Sequence, residues 1–425
     1  MKIAVLGLWH LGCVTAACCA RHFDVTGLDF DSTNVDRLRQ GRAPLFEPGL
    51  DELIQSGLAA GRLRFTTEIA AACAQADILW VAYDTPVDED DRADLDSVLR
   101  EVRRCVPALP SGALVLLSSQ LPVGTCRILE SEFGAQGYRF ACSPENLRLG
   151  KAIEIFTKAD RIIAGYRDDR AKTQLAELFA PFTSQVVWMR SESAEMTKHA
   201  INSFLAVSIT FMNEVARLCE ATGADAKEVE RGLKSESRIG PKAYLSPGGA
   251  FAGGTLARDV VTCTQLGEKY GESLEVIPAI KRSNDRHRQW ALQKVRKLLG
   301  ADGGRRVALL GLTYKPGTNT LRRSSAVELA RSLAAAGFEV AASDPSLPPL
   351  PADLGFIRFS ATPAEAVAGA DAVVICTEWP EFRQLDWAAL APRLRRPVIL
   401  DATRFLEKSV AALPGLQYIT VGSPS

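Results

Sequence analysis

The sequence has no excess of charge of either sign and no long apolar run. Its 425 residues include 50 lysines and arginines and 50 aspartates and glutamates, so the formal net charge is zero. Nucleic-acid-binding proteins usually carry a basic surplus for phosphate contacts, so we expect no nucleic-acid partner. No uncharged apolar segment approaches the roughly 18 residues that a membrane helix needs, so we expect no membrane partner either.

Cysteine motifs of the C-x-x-C type are also missing. The ten cysteines are scattered along the chain without a C-x-x-C pair, and the four histidines form no ligand cluster with them. We therefore expect no metal site. Scattered cysteines in a long chain are typical of reduced thiols, which predicts a cytoplasmic protein.

Short apolar runs that alternate with helical patterns dominate both ends of the chain. The predicted strands cover residues 3–6, 25–28, 78–82, 114–117 and 161–164, and then 307–310, 338–342, 372–376 and 397–400. Strands that alternate with helices imply βαβ units and parallel sheets, and parallel strands buried on both faces are continuous apolar runs. Each end is therefore predicted to form a Rossmann-like domain.

The middle of the chain has a different pattern. Apolar residues recur at helical spacing over 194–220 without a breaker, which predicts one long helix, and further helical sequence runs from 259 towards 299. We predict an α/β fold in which two Rossmann-like domains with parallel sheets are joined by a long central helix and a helical middle domain. The predicted boundaries are 1–190, 191–300 and 301–425.

A glycine-rich turn follows the first predicted strand. Gly7 permits the tight turn and Gly12 permits close packing of the next helix, whose N-terminal N–H groups could face a pyrophosphate. The middle glycine of the usual fingerprint is replaced by Trp9, and that glycine normally lets the backbone approach the phosphates. The turn alone is therefore a weak indication of a dinucleotide site.

An acidic residue and a second loop support the dinucleotide interpretation. Asp29 ends the second predicted strand, close to the spacing of roughly 20 residues expected for a ribose-binding carboxylate. The residues after it bring another carboxylate and no arginine, so NAD is favoured over NADP. The alternative is that Asp29 only caps the following helix. Thr85 and Pro86 follow another predicted strand and are expected to line the same crevice.

Two polar residues share a face of the predicted long helix. Lys198 and Asn202 are one turn apart, beside apolar neighbours, so a functional pair and a lysine that merely extends to solvent both fit.

At this point the whole chain resembles one family, the UDP-glucose and GDP-mannose dehydrogenases. The segments that carry the resemblance are residues 44–50, 143–148, 195–204, 237–241, 253–254, 259, 311–316 and 377–379. Any one of them alone would be unspecific, but the complete set in this order is highly specific.

The resemblance implies the role of each domain and of several residues. The first domain would bind NAD, the last would bind the nucleotide of a UDP-sugar substrate, and the central helix would form a homodimer interface. The family's catalytic residues match Lys198, Asn202, Asp259 and Glu145. Its substrate-binding positions match Leu147, Arg238 (from the partner subunit), Gly253, Gly254 and Lys315, and Arg322 matches an arginine near both ligands.

Three positions depart from the family pattern. The family's catalytic cysteine is missing from residues 253–259, Gln120 replaces a threonine near the nicotinamide, and Trp9 replaces the glycine. Thr255 and Cys263 are the nearest candidates to substitute for the cysteine. The resemblance implies oxidation of a sugar C6 alcohol towards the uronic acid, for polysaccharide biosynthesis, with UDP-glucose as the default substrate. A reaction that stops at the aldehyde, an epimerase-like redox reaction and non-catalytic binding remain as alternatives.

Overall fold

The computed structural model describes residues 1–85, 88, 92–145, 147–300, 305–347 and 350–424. The chain forms two compact units, Met1–Ile201 and Asn202–Ser425. The long helix, predicted for 194–220, runs over Ser191–Thr222 and contributes residues to both units. The division into three domains stays a prediction.

The first unit is a sheet covered by helices. Its strands are β1 Lys2–Leu6, β2 Asp24–Leu28, β3 Leu63–Thr66, β4 Ile78–Val81, β5 Leu114–Leu117, β6 Arg139–Cys142, β7 Ile162–Tyr166 and β8 Val186–Arg190. Its helices are α1 His10–Cys19, α2 Ser32–Arg39, α3 Leu50–Ala59, α4 Ile69–Cys73, α5 Leu95–Cys105, α6 Thr125–Phe133, α7 Ala152–Thr157, α8 Asp169–Phe179 and the start of α9 Ser191–Thr222.

The sheet of the first unit has the order β3-β2-β1-β4-β5-β6-β7-β8. All neighbouring strands are parallel except β6 and β7, which pair antiparallel, so the predicted parallel sheet is correct with that one exception. Because the sheet order reverses beside β1, a crevice is expected outside the carboxyl ends of β1 and β4. The loops after β1, β2, β4, β5 and β6 all lie at this edge.

The burial of β1, β4 and β5 shows that these strands lie in the middle of the sheet. Every residue of β4 and β5 is buried, as expected for strands covered by helices on both faces. In β1, Ile3 and Val5 belong to the core on one face of the sheet, and Ala4 and Leu6 belong to the core on the other. The apolar runs in the sequence therefore mark the middle of the sheet.

The second unit begins with helices and ends with a smaller sheet. Its elements after α9 are α10 Ala226–Ser235, α11 Thr255–Tyr270, α12 Val276–Arg288, α13 Trp290–Leu299, β9 Arg306–Leu310, α14 Ser325–Ala335, β10 Glu339–Ser343, β11 Ile357–Phe359, α15 Pro363–Val367, β12 Ala372–Ile375, α16 Pro380–Arg383, α17 Trp387–Leu390, β13 Val398–Asp401, α18 Glu407–Val410 and β14 Gln417–Ile419. The sheet is parallel throughout, in the order β11-β10-β9-β12-β13-β14.

Each unit is therefore built around a mainly parallel sheet with a reversal of strand order beside its first strand, as predicted for a Rossmann-like domain. In the part of the chain that the structure describes, no helix is both long enough and apolar enough to cross a membrane.

Candidate active site

The glycine turn after β1 has no room for side chains at its two glycines. Gly7 has a φ of 90°, and a Cβ there would come within 2.7 Å of the Tyr83 ring. A Cβ at Gly12 would lie 1.7 Å from the Gly7 carbonyl oxygen, so only glycine lets α1 start this close to the turn. This close approach fits the backbone cradle that a dinucleotide pyrophosphate requires.

Asp29 is tied to the turn and does not cap a helix. Its carboxylate accepts hydrogen bonds from the N–H groups of Leu8 (2.6 Å) and Asp31 (3.0 Å). The cap of α2 is Asp31, whose side chain accepts from Thr33 and Asn34, so the capping alternative for Asp29 is wrong. Asp29 lies at the carboxyl end of β2, beside the turn, where a ribose hydroxyl could reach it.

Trp9 changes the surface of the turn and leaves its backbone fixed. It is the N-cap of α1, and its side chain is 50% exposed. The preceding carbonyl, that of Leu8, accepts hydrogen bonds from the Asn34 amide (2.7 Å) and the Cys13 thiol (3.2 Å). Trp9 therefore adds an exposed aromatic surface to a turn whose preceding carbonyl is held by two hydrogen bonds.

The loops after β4 and β5 are joined. The Thr85 hydroxyl donates to the carbonyl oxygen of Gln120 at 2.9 Å. These loops follow the fourth and fifth strands, not the third and fourth as the sequence patterns indicated, because β3 had not been predicted. Pro86 lies outside the described residues.

Lys198 and Glu145 come together within the first unit. Lys198 is buried, and its ammonium group donates to the backbone carbonyl of Glu145 at 2.6 Å. The Glu145 carboxylate accepts the N–H of Leu147 in the same loop after β6. The lysine is therefore held inside the protein and does not extend to solvent.

A buried carboxylate, not assigned a role from the sequence, organises that loop. Glu47 accepts N–H groups from Gly150 (2.7 Å) and Ala152 (2.9 Å) and pairs with the His10 ring (2.9 Å). Burial acts to raise the pKa of Glu47, but these backbone N–H groups and His10 outweigh it and hold the pKa below its ordinary value. Glu47 thus holds the loop after β6, which contains Glu145, against the first turn of α1.

In the second unit, Asn202 is paired with Asp259. The Asn202 amide donates to the Asp259 carboxylate, which is fully buried on α11. This buried hydrogen bond fixes the orientation of the Asn202 amide, so the amide oxygen and the second amide N–H also point in fixed directions. These two residues are far apart in sequence, and their pairing was expected only from the family resemblance.

Neither candidate for the missing cysteine is an activated nucleophile. Thr255 is exposed at the first position of α11. Cys263 is buried one turn beyond Asp259, with its thiol 3.7 Å from the Ser203 hydroxyl. Burial raises the pKa of this thiol, and the Asp259 charge adds to that shift, so the reactive thiolate is disfavoured.

The remaining predicted residues lie in loops of the second unit. Lys315 is half-buried after β9, and Arg322 is exposed before α14. The next residue, Arg323, has a left-handed φ of 59°, and its guanidinium lies 3.8 Å from the position of a Cβ on Gly254. This segment is therefore close to the Gly253–Gly254 turn.

Arg238 lies in the segment between α10 and α11. It is exposed and pairs with Glu236 of the same surface segment at 3.0 Å. Its proposed place beside a substrate would require a partner subunit.

The loop after β9 repeats the arrangement seen after β1. Gly311 has a φ of 88°, and a Cβ there would meet Thr377 at 2.4 Å. Asp344, at the end of β10, accepts the N–H groups of Leu312 (2.7 Å) and Thr313 (3.0 Å). Burial opposes ionisation of Asp344, but the donated hydrogen bonds prevail and lower its pKa. Sequence patterns had not singled out this carboxylate.

Comparisons with known proteins agree along the whole chain. Three models of the UDP-glucose/GDP-mannose dehydrogenase family match: the NAD binding domain at residues 1–183, the central domain at 192–286 and the UDP binding domain at 308–408. UDP-glucose 6-dehydrogenase of Rhizobium meliloti is 34% identical, with both chains fully covered. The enzyme of the same name from Pseudomonas aeruginosa is also 34% identical, over 100% of this chain and 98% of its own.

Solved structures agree with this assignment. A UDP-glucose dehydrogenase from the archaeon Pyrobaculum islandicum is 31% identical with a TM-score of 0.87, covering 99% of this chain and 98% of its own. A UDP-D-ManNAc dehydrogenase from Pyrococcus horikoshii is 26% identical with a TM-score of 0.86, covering 99% of both chains. The chain therefore belongs to the UDP-glucose/GDP-mannose dehydrogenase family and is an NAD-dependent nucleotide-sugar dehydrogenase.

Proposed function

We propose that the protein oxidises the C6 alcohol of UDP-glucose towards the uronic acid. The observation that carries the proposal is the pair of buried contacts made from one helix, Lys198 to Glu145 and Asn202 to Asp259. The relatives that are 34% identical are UDP-glucose 6-dehydrogenases, and a UDP binding domain model matches residues 308–408. Burial of a lysine and a carboxylate is unfavourable, and a protein that only binds its ligand has no proton or charge chemistry that would require them.

The cofactor would be held by the turn of Gly7 and Gly12, with Asp29 on a ribose hydroxyl and Thr85 at the crevice. NAD supplies the acceptor for the hydride that leaves the sugar carbon. The exposed Arg322 would lie beside both ligands, as the family pattern implies, and its flexible side chain could reach a phosphate.

We assign the proton and charge chemistry to the two buried pairs. As hydride leaves C6, the alcohol must lose its proton. Lys198 would accept that proton if it is present as the neutral amine, or would stabilise the developing oxygen anion if it is present as the ammonium ion. The Asn202 amide donates a second hydrogen bond to that oxygen, and Asp259 fixes the amide. The loop of Glu145 and Leu147 would bind the sugar hydroxyls.

The substrate would make its other contacts in the second unit. The Gly253–Gly254 turn, which carries no side chains, would lie against the sugar, and Lys315 would neutralise a phosphate charge. Arg238 would contact the substrate of the partner subunit, which agrees with its exposed position.

Without a cysteine in residues 253–259, the second oxidation requires a different route. A thiol would add to the aldehyde as a covalent adduct, but water can add instead and form the hydrate. Loss of hydride from the hydrate carbon to a second NAD, with loss of a proton, gives the carboxylic acid. A water molecule that attacks the aldehyde carbon would take the place of the thiol.

The decisive test is the number of NADH molecules formed per UDP-glucose consumed, with purified protein and excess NAD. Two NADH per sugar are expected, with the uronic acid as product. One would mean that the reaction stops at the aldehyde. Substrate conversion without NADH would favour epimerisation, and no conversion of UDP-glucose, GDP-mannose or UDP-N-acetyl sugars would contradict the proposal.

We further propose a homodimer formed through α9. Phe204, Phe211 and Leu218 recur at intervals of seven residues, two helical turns, and are 69%, 49% and 66% exposed. Large apolar side chains repeated along one side of a helix are typical of a helix-packing surface.

Replacing Phe211 with glutamate is expected to convert the dimer to a monomer, because a charge would be buried without a partner in the interface. Light scattering coupled to size-exclusion chromatography measures the mass directly. Phe356→Glu is the matched control, since Phe356 is a similarly exposed phenylalanine of the second unit away from α9. A wild-type monomer, or a Phe211→Glu dimer, would exclude this interface.

We place the enzyme in the cytoplasm, where its product would supply polysaccharide biosynthesis. All ten cysteines are free, and nine of them are buried, which suits a reducing compartment.

A further inference from the structure

The loop between β5 and α6, residues 119–124, is held by contacts from outside itself. It follows β5 at the carboxyl edge of the sheet, and it ends at Gly124, the N-cap of α6. Gly124 has no side chain and a left-handed φ of 97°, so α6 has no cap of its own. The Thr125 N–H is accepted by the Pro122 carbonyl of the loop itself at 3.3 Å, but the acceptors for the Gly124 and Cys126 N–H groups must come from elsewhere.

Glu195 of α9 supplies those acceptors. One carboxylate oxygen accepts the Gly124 N–H at 2.6 Å, and the other accepts the Cys126 N–H at 2.9 Å. Glu195 is buried, and burial raises its pKa, although these donated hydrogen bonds act in the opposite direction. Glu195, about seventy residues away in sequence, therefore caps the N-terminus of α6.

A second residue of the same helix holds the start of the loop. His199 lies one turn after Glu195, and its ring Nε2 is 3.0 Å from the Leu121 carbonyl, so this nitrogen carries the proton and donates. His199 is also buried. Glu195 and His199 thus bind the two ends of the loop to one face of α9.

Lys198 lies in the same turn of α9 and faces the same space. Glu195, Lys198, Ser119 and Gln120 line one small cavity of about 10 Å³, close to the size that holds one water. The Ser119 hydroxyl is buried at this cavity and has no hydrogen-bond partner among the residues that the structure describes. The loop and the lysine are therefore neighbours, and any shift of the loop on α9 changes the surroundings of the lysine.

We propose that Glu195 and His199 are positioning residues, which fix residues 119–124 on α9 and so set the geometry around Lys198. The inference rests on the proposed function of Lys198 in C6 oxidation. Neither residue needs to touch substrate for this role. Because rates fall steeply when reacting groups are misplaced by an ångström, loosening the loop should lower the rate of the chemical step.

Glu195→Gln tests the inference because it keeps size but can accept at most one of the two N–H groups. We expect kcat for NADH formation to fall by about 10²-fold with little change in KM for NAD. Hydrogen exchange of the peptide amides over residues 120–126 should become about ten-fold faster or more, since a charge-assisted bond is lost.

Asp168→Ala is the matched control. Asp168 caps α8 through the Ala171 N–H at 2.8 Å in the same unit, so its loss removes an equivalent cap away from Lys198. We expect faster exchange at the start of α8 and unchanged kcat. A fall in kcat equal to that of Glu195→Gln would show that general destabilisation explains both, and would overturn the inference.

Two further results separate the possible failures. If Glu195→Gln does not fold, His199→Leu releases only the Leu121 end, and an unchanged kcat in that variant overturns the inference. An active wild type whose Glu195→Gln variant keeps its kcat overturns this inference alone. A wild type that forms no NADH from any nucleotide sugar overturns the proposed function and this inference with it.

Discussion

Replacement of Lys198 by alanine is expected to lower kcat/KM for the nucleotide sugar by about 10²–10⁴-fold, the range that a positioned proton-transfer or charge-stabilising group supplies. The reason is geometric. The ammonium group is buried and held at 2.6 Å from the Glu145 carbonyl, so bulk water cannot replace it at that place. Initial rates of NADH formation, measured at saturating NAD, give the effect directly.

A second substitution distinguishes the two roles of the lysine. Lys198→Arg keeps a positive charge, but a guanidinium does not lose its proton near neutral pH. If Lys198 accepts the alcohol proton, the arginine variant should be nearly as slow as the alanine variant. If the lysine only stabilises charge, the arginine variant should recover a substantial part of the rate.

Lys172→Ala is the control for this series. Lys172 lies on α8 in the same unit, with its ammonium group 5.3 Å from the centre of the Tyr166 ring and no role in the proposed reaction. Its removal should leave kcat/KM unchanged. Full activity in Lys198→Ala, measured beside this control, would exclude a catalytic role for Lys198.

The sequence predicted those elements whose pattern reports burial directly. The strands β4 and β5 are fully buried apolar runs, and the long helix has unbroken helical spacing, so both were predicted close to their observed positions. The strand β3 was missed because buried Leu63 and Phe65 alternate with Arg64 and Thr66 over only four residues. The strand β8 was missed because it lies at the sheet edge, where its residues are half-buried or exposed.

The contacts that assemble the candidate site were harder to predict for a physical reason. Glu47 and Glu195 act on backbone N–H groups of Gly150, Ala152, Gly124 and Cys126, and a backbone donor leaves no signature in the sequence. Buried glutamates are costly unless they are paired, so each needs several donors. Sequence patterns can show that such a residue is present, but its partners depend on the packing of distant segments.

The turn after β1 shows the opposite case, in which local sequence largely determines the geometry. The spacing of Gly7 and Gly12 predicted a tight turn with close helix packing, and the structure has both features. Both features are present with Trp9 in place of the usual glycine. The backbone beside Trp9 is held because the Leu8 N–H donates to Asp29 and the Leu8 carbonyl accepts from Asn34. The shape of the turn therefore depends on its two glycines and on the groups that bind Leu8.

Gly12→Ala should consequently destabilise the first unit by at least about 3 kcal/mol, the upper range for overpacking, and should abolish NAD binding. The added Cβ would lie 1.7 Å from the Gly7 carbonyl oxygen. That oxygen cannot move away easily, since the Gly7 N–H is bonded to the Leu28 carbonyl at 2.9 Å and holds the turn on β2. Denaturant unfolding and calorimetric titration with NAD measure the two effects.

Gly232→Ala provides the comparison that separates crowding from the general effect of adding a methyl group. Gly232 is an exposed residue inside α10, and a Cβ there would meet no heavy atom within 4 Å. Alanine favours helix over glycine by about 1 kcal/mol, so this variant should be as stable as the wild type or slightly more so. A Gly12→Ala protein that matched Gly232→Ala in stability and still bound NAD would show that the close approach of α1 to Gly7 is dispensable, and that the cofactor is held elsewhere.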